Sequence, residues 1–201
     1  PGLLWYSAGT VMSYYGLNQV YPEEIAKAHT AGDYHIHNLS MCLAGYCAGW
    51  SLRQLLHEGF NLQGKLECRP PKHLRSAIGQ MINFIGTLQN EWAGAQAFSS
   101  FDTYLAPFVK SDKLSYKEVK QCIQEFIYNM NIASRWSSQT PFTNITLDLT
   151  VPKDLKEQAV TIGGELQKST YSDYAEEQEM INKALIEVLL EGDAKNRFFT
   201  F

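Results

Sequence analysis

The chain has 201 residues, 45% of them apolar and 19% charged, with 17 Lys and Arg against 21 Asp and Glu for a net charge of −4. This balance excludes a disordered, charge-rich chain. It also argues against a surface built to neutralise phosphate backbones, so nucleic acid is not an expected partner. No run of about 18 residues is free of charged and polar groups, and no basic segment followed by an apolar one opens the chain, so neither a membrane span nor a signal peptide is expected and the protein reads as cytoplasmic.

The length suits one domain. Yet the chain opens on Pro1 and closes on the apolar run Arg197–Phe201, which resembles the middle of a strand, so both ends read as cuts rather than as loose polar termini. The cysteines at 42, 47, 68 and 122 form no CxxC pair. In an intracellular chain they are expected as free thiols, ligands or reacting groups rather than as a disulfide framework.

Pro22, Glu23 and Glu24 suit a first helical turn, where a missing N–H costs nothing and acidic groups favour the dipole, and Gly32 closes that helix. Met41–Trp50 is uncharged and short, which predicts a buried strand feeding a helix over Ser51–Glu58. Residues 59–72 form a break in which Cys68 has no partner at useful spacing. From Lys72 to about Ala93, Leu74, Ala77, Ile78, Met81, Ile85, Leu88 and Trp92 recur at helical spacing, a stripe for a core or a helix–helix interface.

The stretch Gly94–Asp102 then offers small residues together with Gln96, Ser100 and Asp102, the mixture of close backbone approach and few polar groups that lines a ligand cleft. The same residues also suit a turn in which Asp102 caps the next helix. A second stripe, Val119, Cys122, Ile123, Phe126, Ile127 and Met130, places Cys122 on a buried helical face as a small core hydrophobe.

Arg135–Asn144 leads into Phe142–Leu149, whose apolar and polar residues alternate as in a strand with one buried face. The amides of Gln139 and Asn144 both donate and accept, which suits a hydroxyl-rich ligand. Asn144-Ile145-Thr146 matches a glycosylation acceptor that a cytoplasmic protein would not use. After a break at 150–170, a last helix is expected from Asp173 as N-cap, with Glu176 three residues on, to Glu191, with Gly192 closing it. Alternating strands and helices predict an α/β layout with parallel strands.

The densest cluster of chemically versatile side chains is His35, His37, Cys42 and Cys47. Alternate strand residues share a face, so His35 and His37 together with Cys42 or Cys47 could form a small zinc site. The two cysteines differ by an odd number of residues and face opposite ways on an ideal strand, and histidines of this kind also serve as hydrogen-bonded structure. Cys47 precedes Ala48 and Gly49, small neighbours that leave room for close approach, so it reads either as a reacting thiol or as inert packing.

Taken in order, Gly32-Asp33-Tyr34-His35-Ile36-His37, Cys47-Ala48-Gly49-Trp50, Pro71-Lys72-His73, Trp92-Ala93-Gly94-Ala95-Gln96-Ala97-Phe98, Phe101-Asp102-Thr103, Ala106-Pro107-Phe108 and Gln139-Thr140-Pro141-Phe142-Thr143-Asn144 resemble the oxygen-sensitive class III ribonucleoside-triphosphate reductases. The resemblance covers nearly the whole chain from Tyr6. It implies a glycyl-radical oxidoreductase whose catalytic domain is a ten-stranded α/β barrel of two half-barrels around a finger loop. This chain would be a single region, 1–201, supplying the first half-barrel and the long helices of the dimer contact beside the site for allosteric nucleotides.

In such an enzyme a glycyl radical oxidises a finger-loop cysteine to a thiyl that takes the ribose 3′ hydrogen, and a cysteine on the first barrel strand helps expel the 2′ hydroxyl as water. Cys47 matches that strand cysteine and is the expected catalytic residue. Gln139, Asn144, Gln96 and Ser100 are the expected substrate contacts. His35 and His37 match the family's His-x-His as support for the Cys47 strand, with no metal expected on this chain. Asn38 departs from the family, many of whose members carry Asp there.

The resemblance further implies ribonucleoside triphosphate substrates, ATP and deoxynucleotide effectors, a homodimer, a radical SAM activating enzyme, and a structural zinc. The ATP cone, finger loop, zinc ligands and radical glycine are not found in these residues, so the chain alone is expected to be inactive. Two other readings stay open: an effector-binding and dimerisation module, and the small zinc protein above.

Overall fold

A computed structural model describes residues 2–61, 67–132 and 140–199. Its centre is a parallel three-stranded sheet in the order β1-β4-β5, formed by β1 (Ala48–Trp50), β4 (Gln96–Phe98) and β5 (Thr143–Ile145). The helices that return the chain between these strands are α3 (Leu52–Glu58), α4 (Leu74–Leu88), α5 (Phe101–Ser111) and α6 (Tyr116–Met130). The mixed α/β layout follows from the alternation in the sequence.

Two antiparallel strand pairs lie in the breaks: β2 (Phe60–Asn61) with β3 (Glu67–Cys68), and β6 (Ala159–Ile162) with β7 (Glu165–Thr170). The second turns on Gly163 and Gly164, both with φ above +60°, a conformation only glycine adopts freely. At the ends of the chain lie α1 (Gly2–Tyr15), α2 (Glu23–Ala31) and α7 (Ala175–Glu191).

Both helical stripes are core. Leu74, Ala77, Ile78, Met81 and Ile85 of α4 meet Val119, Ile123, Phe126 and Ile127 of α6, and α7 covers α5 and α6 with Ile181, Ala184, Leu185 and Val188. Helix α4 stops at Leu88 rather than Ala93, and its start is capped from far away: Asp112 accepts from the Leu74 amide at 2.8 Å and sits 2.7 Å from His73 Nδ1. A remote carboxylate thus replaces the local cap that the sequence lacks.

Tyr171, 2% exposed, lies edge-on to Tyr104 with ring centroids 5.4 Å apart. Burial pushes its phenol up from 10.0 to about 12. The unfolded chain releases this proton first, so the contribution is intact below pH 10 and is lost as pH rises toward 12. About 2–3 kcal/mol is expected to disappear across that window. Denaturant titrations with tyrosinate absorbance should show it in the native chain and not in Tyr171→Phe.

Four sequence expectations are corrected. The run Met41–Trp50 is strand only from Ala48 on: its first residues pack on α1 with Cys42 reaching the Met12 carbonyl, while Leu43 and Tyr46 stay 61% and 48% exposed. The final helix is capped one step earlier than expected: Asp173 accepts from the Thr170 amide at 2.8 Å, closing a tight turn over Tyr171–Tyr174 ahead of α7. The strand expected over 142–149 ends at Ile145, since the Asp148 and Leu149 amides are captured by Asp102 at 2.9 Å each and Leu149 turns to φ +62°. The run expected to resemble strand at 197–201 is irregular through Phe199, with Arg197 paired to Asp193, and its last two residues lie outside those described.

Candidate functional site

Register and burial give the sheet two unlike faces. Ala48, Gln96 and Thr143 stand in one row, Gly49, Ala97 and Asn144 in the next, and Trp50, Phe98 and Ile145 in the third. The first and third rows point into the helices, where Phe98 is fully buried and Trp50 and Phe98 both lie against Phe84. The middle row carries exposed Gly49 and Asn144 on the side without helices. Parallel sheets are ordinarily covered on both faces; here the face lined by glycine, alanine and one amide is left open by the described residues.

Cys47 lies two residues before Gly49, at the strand repeat, and is exposed as Gly49 is. Its segment is zipped onto 93–95: Ala93 and Gly94 donate to the Gly45 and Tyr46 carbonyls at 2.9 and 2.7 Å, and Ala48 donates to Ala95 at 3.0 Å. A cavity of about 800 Å³ adjoins this zipper, bounded by Trp5 and Met12 of α1, His37, Trp92, Gly94 and Phe142.

The expected substrate contacts separate. Asn144 is on the open face with the strand that Cys47 leads into. Gln96 is 1% exposed on the helix side, where it accepts from the Trp50 indole at 2.7 Å and donates to the Gly94 carbonyl at 3.0 Å. Its amide is therefore committed to holding β1 on β4 and is turned away from the open face. Ser100, at φ +54°, donates to Asp148 at 3.3 Å and ties the end of β4 to the end of β5. Gln139 lies outside the described residues.

The histidines and cysteines do not converge. Residues 34–37 are irregular because the Ile36 amide donates to His29 Nδ1 at 3.2 Å instead of joining a ladder. The rings of His29, His35, His37 and Tyr46 follow one another at 5.9, 5.7 and 5.7 Å between centroids, which props Tyr46 beside Cys47. Cys42 turns instead toward the Met12 carbonyl, 3.6 Å away. Cys122 is buried in α6, its thiol pushed up by burial, and Cys68 lies in β3. Among the described residues no group of three or more His, Cys, Asp or Glu is placed to hold a metal ion. The described residues therefore do not assemble the zinc set of His35, His37 and Cys42 or Cys47.

The sequence reading missed how Asp102 is used. It is 0% exposed and, beyond the Asp148 and Leu149 amides, accepts from Gln178 at 3.0 Å and Asn182 at 2.9 Å. Asp148 in turn accepts from Thr103 at 2.5 Å. This network fixes the C-terminal ends of β4 and β5, and α7, in one arrangement. A lone carboxylate in the apolar run Phe101–Val109 is the signal that could have pointed to it.

The geometry is that of an α/β fold with an exposed thiol, Cys47, at the head of an open edge strand. The family model for anaerobic ribonucleoside-triphosphate reductase matches residues 1–201, and the chain belongs to that family, a family of oxidoreductases. It is 28% identical over 163 residues to the anaerobic ribonucleoside-triphosphate reductase of Enterobacteria phage T4, covering 69% of this chain and 27% of the relative. The Escherichia coli K12 enzyme of the same name is 25% identical over 166 residues, covering 71% and 23%.

In fold the chain is similar to the Thermotoga maritima anaerobic ribonucleotide reductase solved with dATP and CTP, with TM-score 0.73 and 21% identity over 98% of this chain and 34% of that one. A second solved anaerobic ribonucleotide reductase gives TM-score 0.75 at 23% identity over 97% and 33%. The chain thus spans about a quarter of the curated relatives and a third of the solved chains. Among the described residues no helix is long and apolar enough to cross a membrane.

Proposed function

We propose that this chain is the part of an anaerobic ribonucleotide reductase that presents Cys47 to the ribose of a ribonucleoside triphosphate, during its reduction to the deoxyribonucleotide. The observation that carries the reading is the exposed Cys47 at the head of β1, beside an open sheet face lined by Gly49, Ala97 and Asn144. In this reading the three strands belong to a ten-stranded glycyl-radical barrel, residues 1–201 supply its first half, and the open face is its interior. The dATP and CTP held by the Thermotoga maritima relative support nucleotides as substrate and effector classes.

The glycyl radical of the longer enzyme supplies, through a finger-loop cysteine, removal of the ribose 3′ hydrogen. What this chain does is acid chemistry on the other face of the sugar. The Cys47 Sγ–H gives its proton to the 2′ hydroxyl, the C2′–O bond breaks, and water leaves while sulfur keeps the electron pair of its S–H bond. The two electrons of the net reduction come from formate or a small redox protein. Gly49, with no side chain, and Ala97, with a single methyl, let the ribose approach the backbone closely.

Asn144 is the hydrogen-bonding contact in this reading, whereas Gln96 and Ser100 support the strands from behind, and Gln139 remains a proposed contact. Asn144→Ala should raise KM about 5–10-fold, the worth of one hydrogen bond, with kcat changed less. Steady-state kinetics of the longer enzyme check it.

Partners follow the same reading: a homodimer, ATP and deoxynucleotide effectors, and a radical SAM activating enzyme, all in the cytoplasm. The stripes of α4 and α6 are spent on this chain's own core. Support for a protein contact comes from α1, which buries none of its residues and exposes Leu3, Leu4, Tyr6, Val11 and Tyr14. The direct test is anaerobic turnover by the longer enzyme carrying Cys47→Ser, and deoxynucleotide formation at the native rate overturns the reading.

A further inference from the structure

We propose that Gly94 is a positioning residue for the Cys47 thiol, half of a reciprocal lock whose other half is Gly45 beneath the Trp92 ring. The inference rests on the reading of Cys47 as the reacting thiol and adds the residue that fixes where its sulfur stands.

A Cβ built on Gly94 would lie 2.5 Å from Cys47 Sγ and 2.9 Å from the Tyr46 carbonyl oxygen. A Cβ on Gly45 would lie 2.4 Å from the Trp92 ring. Real Cβ atoms do not approach so closely, so each segment fills the space that a side chain on the other would need. Gly45-Tyr46-Cys47 and Trp92-Ala93-Gly94 thus interdigitate, while the hydrogen bonds from Ala93 to Gly45 and from Gly94 to Tyr46 hold them in register. Trp92 is fixed in turn against Trp50, ring centroids 5.5 Å apart, and Trp50 is held by Gln96.

Neither glycine is required by its backbone. Gly45 and Gly94 are not among the residues with positive φ, so an alanine could adopt either conformation. What excludes a larger residue at 94 is the thiol together with the Tyr46 carbonyl. A methyl there drives the sulfur to rotate about its Cα–Cβ bond, which relieves the larger of the two overlaps. The smaller, at 2.9 Å from the Tyr46 carbonyl, is left for the backbone to absorb by a shift of a few tenths of an ångström. The sulfur must meet one hydroxyl of a bound sugar, and misplacement by about 1 Å is enough to cost on the order of 100-fold in rate.

The test is Gly94→Ala in the full-length enzyme, activated anaerobically, beside Cys47→Ser and the control Gly79→Ala in α4. Gly79 has nothing within 4 Å of the Cβ it would gain. The expected result is kcat lowered roughly 10–100-fold, KM within about twofold and radical content by electron paramagnetic resonance unchanged, with Gly79→Ala at native rates. A merely structural role would instead lower radical content or thermal stability in step with activity.

Native kcat in Gly94→Ala overturns the inference, and if Cys47→Ser is inactive in the same experiment the reading of Cys47 stands without it. Native turnover in Cys47→Ser overturns the reading itself. If Gly94→Ala does not accumulate, the same change is made in a Cys47→Ala background: recovery of folded protein supports competition between methyl and sulfur for one space, and continued failure assigns the clash to the Tyr46 backbone and overturns the proposal.

Discussion

Cys47→Ser in the longer enzyme should abolish ribonucleotide reduction while leaving the glycyl radical able to form. The substitution is nearly isosteric, and the backbone zipper around residue 47 is made by the amides and carbonyls of residues 45–48 and 93–95, none of which it removes. What changes is the group offered to the substrate. A serine hydroxyl is a far weaker acid than a thiol and cannot serve as a reductant, so the step that expels the 2′ hydroxyl loses its proton donor. General acids contribute typically ~10²–10⁴-fold, and a loss of at least that size is expected. Under the proposed function radical formation proceeds, because that reading assigns it to a separate activating enzyme. Anaerobic assay of deoxynucleotide together with the radical's spin signal separates the two, and turnover within tenfold of native would dismiss Cys47 as the acid.

Asp102→Asn carries the largest expected effect on stability. The Asp102 carboxylate has no solvent exposure and is satisfied by two backbone amides and two side-chain amides that all donate to it. Asparagine keeps the shape and replaces one acceptor oxygen by a donor NH₂. If that group takes the place of Oδ2, it confronts the Leu149, Gln178 and Asn182 donors together; if it takes the place of Oδ1, it confronts Asp148. Breaking a buried charged network on one side typically costs about 3–5 kcal/mol. Denaturant unfolding should show a loss of this order, with α7 loosening first in hydrogen exchange because Gln178 and Asn182 anchor it. A loss below about 1 kcal/mol would mean that water replaces these donors. Since the same carboxylate ends β5, Asn144 should be displaced too, and KM should rise with the loss of stability.

The parts of the fold that can be read from the sequence are those in which a residue's fate is decided within one turn of its neighbours. The stripes of α4 and α6 are legible because period 3.6 is the geometry of a buried helical face, and α2 because Glu23, Glu24 and Gly32 act on the helix they belong to. What fails is whatever depends on a partner far along the chain. The end of β5 is set by Asp102, the start of α4 by Asp112, and the path of residues 41–46 by α1; none of these leaves a local trace. The two-residue strands β2 and β3 are too short for any period to show. Helix α1 escaped because its apolar residues are not arranged toward this chain's core.

The site divides in the same way. Cys47 stands among four cysteines with no spacing to mark it, and chemistry alone left it open between reagent and packing; the ordered stretches of family resemblance single it out. Gln96 was legible as a polar residue among small ones, yet its direction follows from the pairing of β1 with β4, which makes it a brace rather than a contact. Gly94 could not be read as more than a small residue, because the sulfur it accommodates is 47 positions away.

The outer strands β1 and β5 each have only one neighbour within the described sheet, and the face they share has no roof. Until other protein closes over it, Cys47 is an ordinary surface thiol, open to alkylation and to stray oxidants. In the proposed barrel, the protein that covers this face is also the protein that brings the other reacting groups to Cys47, so enclosure and reactivity go together.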